Sequence, residues 1–170
     1  HKVLADAFRP ARRTSVNTFL IHSKGRRALV DSGSGNYLQQ SAGKVQQNLA
    51  AAGIDPASID TVLLTHMHPD HSAGLTDMSN GKLYFPNAEL VMHEKELPHW
   101  FDDSAMSKAD ERSQKMYFLA GREQVAPYKK QTRLFKDGEV FPGVTAVPSP
   151  GHTPGHTAYL IASGNDQLMI

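Results

Sequence analysis

The sequence contains no cysteine, which excludes a thiolate nucleophile, a cysteine metal ligand and a disulfide scaffold. It has no excess of charge of one sign either, since 18 Lys and Arg residues and 17 Asp and Glu residues give a formal net charge of +1. Nucleic acids and anionic membranes are bound through concentrated basic surface, so neither is expected as a partner. No apolar run reaches the length of a membrane-spanning helix. The hydrophobic fraction of 39% over 170 residues instead predicts one globular domain of ordinary size.

The two ends of the sequence carry further expectations. The chain begins at His1 without a charged and apolar leader, so no secretory signal peptide is recognised. The compartment stays open between the cytoplasm and, after removal of a leader, the periplasm or the exterior. Residues 158–170 are typical of two strands around a Gly164-Asn165 turn, the second of them apolar. Because an apolar strand needs burial and neighbours, we expect a longer protein whose C-terminal part is missing here.

Predicted strands and helices alternate along the chain, with hairpins between some of the strands. The β-rich runs Val16–His22 and Arg27–Asp31 predict a hairpin, and Leu38–Ala52 predicts an amphipathic helix that ends at Gly53. Ile59–Thr65 is typical of a buried strand. Further strands are predicted at 83–85, 89–93, 133–135 and 140–147. The result is a single layered domain over residues 1–170, of class α/β or α+β, with a helical insertion at about 94–131.

Histidine is concentrated directly after the predicted strand Ile59–Thr65, in the run His66-Met67-His68-Pro69-Asp70-His71. Alternate residues of an extended segment point the same way, so His66 and His68 converge on one point. Pro69 then turns the chain, and Asp70 and His71 face a neighbouring position. Imidazole nitrogens suit zinc, iron, cobalt or manganese, and the carboxylate adds a harder oxygen. The run therefore predicts a transition-metal site rather than a polar loop that is rich in histidine by chance.

A second cluster follows the predicted strand over 140–147, in the run Ser149-Pro150-Gly151-His152-Thr153-Pro154-Gly155-His156-Thr157. His152 stands in a turn that Gly and Pro shape, where presenting the ring costs little backbone entropy. His156 is open to two interpretations, as a ligand or as a residue that supports the ligands or packs beside them. His93 and His99 have no partner motif and are interpreted as structural or surface residues.

The two histidine runs, in this order, resemble the motifs of the metallo-β-lactamase superfamily. Asp31 in the run Leu-Val-Asp-Ser-Gly and Gly74-Leu75 after the first cluster fit the same pattern, and the resemblance covers nearly the whole chain. It implies a four-layer αββα sandwich with metals at one edge, between the two sheets. It further implies that Asp31 is buried and orients the ligand loops. Thr153 and His156 would likewise support the ligands from behind. The alternative for Asp31 is a residue that begins a turn before Ser-Gly.

The same resemblance implies the ligand set. His66, His68 and His152 would hold the first metal, and Asp70 and His71 would belong to the second. Members with two metals also supply a bridging Asp and a last His further along the chain, and neither is found among these 170 residues. Two Zn²⁺ per intact chain are therefore expected, with cobalt, manganese or iron as alternatives.

The chemistry expected of such a site is metal-assisted hydrolysis. Zinc lowers the pKa of a bound water from about 15.7 to about 7, which supplies a nucleophile without a covalent intermediate. Asp70 would bind metal and accept a proton from the nucleophile. The 81 positions that separate His71 from His152, and the segment 5–10, resemble the methyl parathion hydrolase and lactonase branch. The expected substrates are small lactones, esters or organophosphate triesters, and a homodimer is expected because lactonase-like relatives form one.

Aromatic residues of the insertion are candidates for the substrate pocket. Trp100, Phe101, Tyr117 and Phe118 could line it, whereas the alternative is packing of the insertion onto the sandwich, which is favoured for Tyr117 and Phe118. Two other functions stay open. One is a mononuclear iron oxygenase or redox member of the same fold, and the other is an inactive binding module.

Overall fold

The computed structural model describes residues 14–170, so the segment 5–10 lies outside the described residues. Its helices are short, and none of those described has the length and apolar content required to cross a bilayer. The helical elements of the described part are the α-helices Val45–Ala51, Pro69–Ser72, Glu96–Trp100, Asp103–Lys108, Glu111–Ser113 and Ala120–Val125, the 3₁₀ segments Pro56–Ser58 and Ala126–Gln131, and a π-helical stretch at Gln114–Leu119.

The first sheet has five strands in the order β1-β2-β3-β6-β7. Strands β1 and β2 form the predicted antiparallel hairpin, and the neighbours β2, β3, β6 and β7 run parallel to one another. The central parallel strands β3 and β6 are buried on both faces, which is why their sequences are mostly apolar without alternation, whereas the edge strand β7 is partly exposed. The strands are β1 (Phe19–Ser23), β2 (Arg26–Val30), β3 (Thr61–Leu63), β6 (Glu89–His93) and β7 (Thr132–Phe135).

The second sheet is antiparallel, with four strands in the order β11-β10-β9-β8. It consists of β8 (Gly138–Phe141), β9 (Val144–Pro148), β10 (Thr157–Ser163) and β11 (Asp166–Met169). A separate two-stranded ribbon pairs β4 (Thr76–Asp77) with β5 (Lys82–Leu83). The β10–β11 hairpin agrees with the sequence prediction for residues 158–170.

Two apolar cores order these elements into layers. The inner faces of the two sheets meet in one core, to which β2 contributes Ala28 and Val30 and β10 contributes Tyr159. The opposite face of the first sheet, with Leu29, packs against the helices that include Trp100. Helix, sheet and sheet are thus three layers of the expected αββα sandwich. In the described chain the edge strand β11 of the second sheet is exposed, with Leu168 and Met169 each 53% exposed.

Two element predictions were wrong in their bounds. The helix predicted over Leu38–Ala52 begins only at Val45, because Gly43 has a φ of +69° and a Cβ there would lie 1.8 Å from the Gly35 carbonyl oxygen. The strand predicted over 140–147 is divided into β8 and β9 by a turn at Pro142-Gly143, where Gly143 also has a positive φ. In addition, the apolar strand β11, for which burial was expected, is exposed over its whole length.

The topology places the predicted site residues at one edge of the sandwich. Asp31 follows β2, and Thr65 and His66 follow the adjacent parallel strand β3. Parallel neighbours end at the same edge of a sheet, which brings the ends of β2 and β3 together. The Thr157 backbone N–H donates to the Thr65 carbonyl at 3.0 Å, so the beginning of β10 in the second sheet reaches the same edge.

Candidate metal centre

The first histidine run forms a loop that tightens into the short helix Pro69–Ser72. Pro69 occupies the first turn of this helix, where its missing N–H costs no hydrogen bond. The His71 backbone N–H donates to the His68 carbonyl at 2.9 Å, and the Ser72 hydroxyl donates to the Met67 carbonyl at 3.0 Å. These bonds close the loop on itself, so its side chains project from a fixed backbone.

His66, His68 and His152 meet as one group, with one ring nitrogen from each lying within 4.8 Å of the others. The His68 Nδ1 and His152 Nε2 atoms are 3.1 Å apart, and the His66 ring centre is 4.7 Å from the centre of each of the other two rings. The His66 Nε2 atom is buried and has no hydrogen-bond partner among residues 14–170, whereas its Nδ1 lies 3.0 Å from the Thr65 hydroxyl. A buried nitrogen without a partner, aimed at two other imidazoles, fits a metal ion.

A second group shares His66 and adds Asp70 and His71, again with ligand atoms within 4.8 Å. His71 is held from two sides: its Nδ1 is 2.6 Å from the Asp31 Oδ2, and its Nε2 is 3.3 Å from the Asp70 Oδ2. The described residues therefore bring all five sequence-predicted ligands into two adjoining groups. Which ions they bind, and how many, belongs to the proposal below.

Asp31 lies on the buried side of this arrangement. Its side chain is buried, and its Oδ1 accepts from the Thr65 backbone N–H at 2.8 Å while its Oδ2 faces His71. The Thr65 hydroxyl lies 3.0 Å from the same Oδ2. The backbone of Asp31 has a φ of +59°, a conformation that residues other than Gly, Asn and Asp rarely adopt. One carboxylate thus fixes both the residue before His66 and the ring of His71.

The electrostatics divide the histidines into two kinds. Burial, reinforced by the neighbouring imidazoles, lowers the pKa of His66 far below its ordinary value and that of His68 to about 4. Burial acts in the same direction on His71, but the hydrogen bonds to Asp31 and Asp70 and their negative charges outweigh it and raise its pKa to about 10. The hydrogen bond from His71 also lowers the pKa of Asp70. At neutral pH, His66 and His68 are therefore uncharged, and each has one unprotonated ring nitrogen that can bind a metal.

These shifts predict a stability maximum near pH 6.5 to 7 for the protein kept free of metal by a chelator. Below the ordinary histidine pKa of 6.5 the unfolded chain binds protons that folded His66 and His68 refuse, so stability falls as the pH drops toward 4. His71 acts in the opposite direction, because its pKa is raised in the folded state. Its contribution to the stability of the fold is complete below pH 6.5 and is lost as the pH rises toward 10. Thermal unfolding midpoints measured from pH 4 to 10 test this. In His68→Gln the acid-side slope should become shallower, and an unchanged slope would contradict the assignment.

Two clefts border the cluster, and Asp70 lines both of them. One, of about 380 Å³, is also lined by Asp31, His71 and His156. The other, of about 180 Å³, is lined by Tyr37, Leu38, Pro69, Asp70, Met116 and Tyr117. The half-buried His156 has its ring centre 5.0 Å from that of His66, which leaves both of its sequence interpretations in place. Asp70 is thus accessible from both clefts.

The aromatic residues predicted for the substrate pocket lie in two different places. Trp100 is buried, with its ring centre 5.2 Å from that of His68, and Phe118 packs edge-on beneath it in the core. Phe101 is 40% exposed and lines a different groove with Leu97, Pro98, Val125, Ala126 and Lys129. Tyr117 also lies beside the cluster, with its ring centre 4.4 Å from that of His68. Tyr37 and Leu38 join it because the chain there is a loop and not the predicted helix.

Thr153 lies next to His152 in sequence, is buried, and donates its hydroxyl to the Oε1 of Glu96. Glu96 is a site residue that no sequence pattern indicated, because it stands in a polar helical segment without a motif. Only its complete burial in the fold distinguishes it from the neighbouring Glu94 and Lys95.

Comparison with known proteins agrees with this geometry. Residues 11–170 match the family model described as Metallo-beta-lactamase superfamily. Among curated proteins, N-acyl homoserine lactonase AttM of Agrobacterium fabrum is 28% identical over 140 residues, which are 78% of this chain and 47% of AttM.

Two solved structures resemble the whole described fold. The hydrolase AbOPH of the beta lactamase superfamily superposes with a TM-score of 0.86 at 30% identity, over 100% of this chain and 60% of that one. AidC, a dizinc quorum-quenching lactonase solved with the product N-hexnoyl-L-homoserine, gives a TM-score of 0.83 at 29% identity, over 99% of this chain and 60% of that one. The chain thus spans about half the length of AttM and about 60% of these two structures.

Proposed function

Since the chain belongs to the metallo-beta-lactamase superfamily, we propose that it carries the metal-binding part of a hydrolase that opens lactones and related carboxylic esters. The observation that carries the proposal is the convergence of His66, His68 and His152, with a buried His66 Nε2 that has no hydrogen-bond partner in the described part of the chain. A bound divalent metal supplies a Lewis acid that lowers the pKa of water toward 7 and polarises a carbonyl oxygen. Zinc is the proposed metal, because imidazole and carboxylate ligands suit it.

Each residue of the cluster has a role that follows from its position. His66, His68 and His152 hold the first ion, and Asp70 and His71 hold a second beside it. Asp31 keeps the His71 Nδ1 proton facing away from the cluster, so that Nε2 is directed toward it. Asp70, whose pKa is lowered, stays ionised at neutral pH and accepts a hydrogen bond from the attacking water.

The smaller cleft beside Asp70 suits an apolar group next to the scissile bond. Its walls are mostly carbon, from Leu38, Met116 and the rings of Tyr37 and Tyr117. An acyl chain placed there brings its carbonyl to Asp70 and the ligand cluster. Lactones are proposed ahead of other esters because AttM and AidC are named as lactonases. Organophosphate triesters are a further substrate class to be tested in parallel.

The test begins with elemental analysis of the purified protein, followed by hydrolysis assays. We expect two zinc-like ions per chain, and turnover of an acylated lactone that exceeds turnover of an aryl ester or a phosphotriester. A single iron per chain would support the oxygenase alternative. A protein that binds no metal and hydrolyses none of the three substrates would contradict the proposal and favour a binding module. The homodimer and the lack of nucleic-acid and membrane partners stay predictions.

A further inference from the structure

The side chain of Glu96 is fully buried, with an exposed fraction of 0%, in the first turn of the helix Glu96–Trp100. Acidic side chains are almost never fully buried unless hydrogen bonds or opposite charges compensate the lost hydration. None of the ion pairs of the described chain includes Glu96. Its compensation comes instead from four hydrogen-bond donors.

Each carboxylate oxygen of Glu96 accepts two hydrogen bonds. Oε2 accepts from the Met67 backbone N–H at 3.0 Å and from the Trp100 indole Nε1–H at 2.8 Å. Oε1 accepts from the Gly155 backbone N–H at 2.9 Å and from the Thr153 hydroxyl. Three of these donors belong to segments far from Glu96 in sequence, so the carboxylate joins separate parts of the fold.

Those segments are the two ligand loops. Met67 lies between the ligands His66 and His68, and Thr153 directly follows the ligand His152. Gly155 approaches so closely that a Cβ on it would lie 2.8 Å from the Glu96 backbone nitrogen. One side chain of the helical insertion therefore connects the loop after β3 with the loop after β9.

We propose that Glu96 is a positioning residue that sets the separation of His68 and His152, and thereby the affinity of the first metal site. The proposal rests on the metal-binding function given above. Without the carboxylate, the Met67 and Gly155 N–H groups lose their acceptors. The hydrogen bonds that still join the two segments, from the Thr157 N–H to the Thr65 carbonyl and from the Tyr159 hydroxyl to the Leu64 carbonyl, lie at the strand ends, before His66 and after His156. The ligand rings then vary in separation, and metal binding must restore their order at a cost in affinity.

A carboxylate suits this place because all four facing groups are donors. In Glu96→Gln the amide keeps one acceptor oxygen, but its NH₂ group faces an N–H donor whichever way it is turned. Two hydrogen bonds are therefore lost or strained although the shape of the side chain is kept. In Thr153→Val only the hydroxyl donor is removed, and the other three bonds remain.

The test compares Co²⁺ affinity in Glu96→Gln, Thr153→Val and the parent protein, by competition with a chelator, together with thermal unfolding of the metal-free forms. Tyr128→Phe is the matched control, since it removes a buried hydroxyl that accepts from the Phe85 N–H and donates to the Leu75 carbonyl, outside both ligand groups. We expect first-site affinity to fall at least about 10-fold in Glu96→Gln and less in Thr153→Val, with altered Co²⁺ absorption. Tyr128→Phe should change the Co²⁺ affinity less than about 3-fold, even if its unfolding midpoint drops as far as that of Glu96→Gln.

The outcomes separate this proposal from the proposed function. If Glu96→Gln and Tyr128→Phe lose stability alike and both keep parental Co²⁺ affinity and absorption, Glu96 is a structural residue only and the positioning role is wrong. If Glu96→Gln does not fold, Thr153→Val tests the positioning role in its place. A parental Co²⁺ affinity in Thr153→Val would contradict the role of the hydrogen bond between Thr153 and Glu96. A parent protein that binds no Co²⁺ would instead contradict the metal-dependent function itself.

Discussion

Replacement of His152 by Ala is expected to remove the first ion and to lower hydrolysis by about 10³-fold or more. His152 contributes one of three convergent nitrogens, 3.1 Å from the His68 Nδ1, and two imidazoles alone do not retain a catalytic zinc. The ring is exposed, so its removal leaves the core intact and the loss is attributable to the site. Metal content per chain and the lactonase rate at saturating substrate measure the effect.

His93→Ala is the matched control for this experiment. His93 is also a histidine at a strand end, but its Nδ1 accepts from the Lys95 N–H and its ring packs on Phe135. It belongs to neither ligand group, so metal content and rate should stay near those of the parent while the unfolding midpoint falls. His66→Ala should match His152→Ala in metal loss and destabilise the fold as well, since His66 is buried. Full metal and full rate in His152→Ala would overturn the ligand assignment.

The second large effect is expected for Asp31→Asn, a lowering of metal affinity by about 10- to 100-fold. Asn tolerates the positive φ at this position and can still accept from the Thr65 N–H, so the backbone is preserved. What disappears is the negative charge 2.6 Å from the His71 Nδ1. That charge favours both a proton and a metal on the opposite nitrogen. It favours the metal more, because a divalent ion carries the greater charge.

Two measurements test the role of Asp31. Zinc affinity should fall as stated, and NMR titration of the metal-free variant should show the pKa of His71 dropping from about 10 toward its ordinary value. Asp60→Asn serves as control, since the Asp60 carboxylate also accepts a backbone N–H, from Arg27 at 2.7 Å, but precedes β3 and so lies at the far end of that strand. Parental zinc affinity in Asp31→Asn would mean that Asp31 only begins a turn.

Much of the site was predictable because its signals are local in sequence. Six consecutive residues carry four of the five proposed ligands, and the Gly- and Pro-rich run around His152 carries the fifth. The hairpin of β1 and β2 was predictable for the same reason, since a turn of Lys24-Gly25 joins two β-rich runs. The aromatic residues were not, because Trp100, Phe101 and Phe118 are similar in kind and differ only in the neighbours that the fold provides.

The bounds that were wrong also have a physical reason. Helical periodicity over Leu38–Ala52 favours a helix locally. The backbone of Gly43 passes so close to that of Gly35, eight positions earlier, that no helix is formed before Val45. The strand over 140–147 is interrupted at Gly143, whose positive φ turns β8 back onto β9. In both cases a tertiary contact or an antiparallel pairing overrides local preference.

The sequence by itself determined the chemistry of the ligands, because imidazole and carboxylate groups at fixed spacing are properties of the chain. It also determined the family motif and the layered class, since these follow from residue order and periodicity. Only the tertiary structure decided that Asp31 directs His71, that Glu96 joins the two ligand loops, and that Tyr117 rather than Phe101 stands beside the cluster. Those roles depend on burial and on contacts across 29 to 59 positions, which no local pattern encodes.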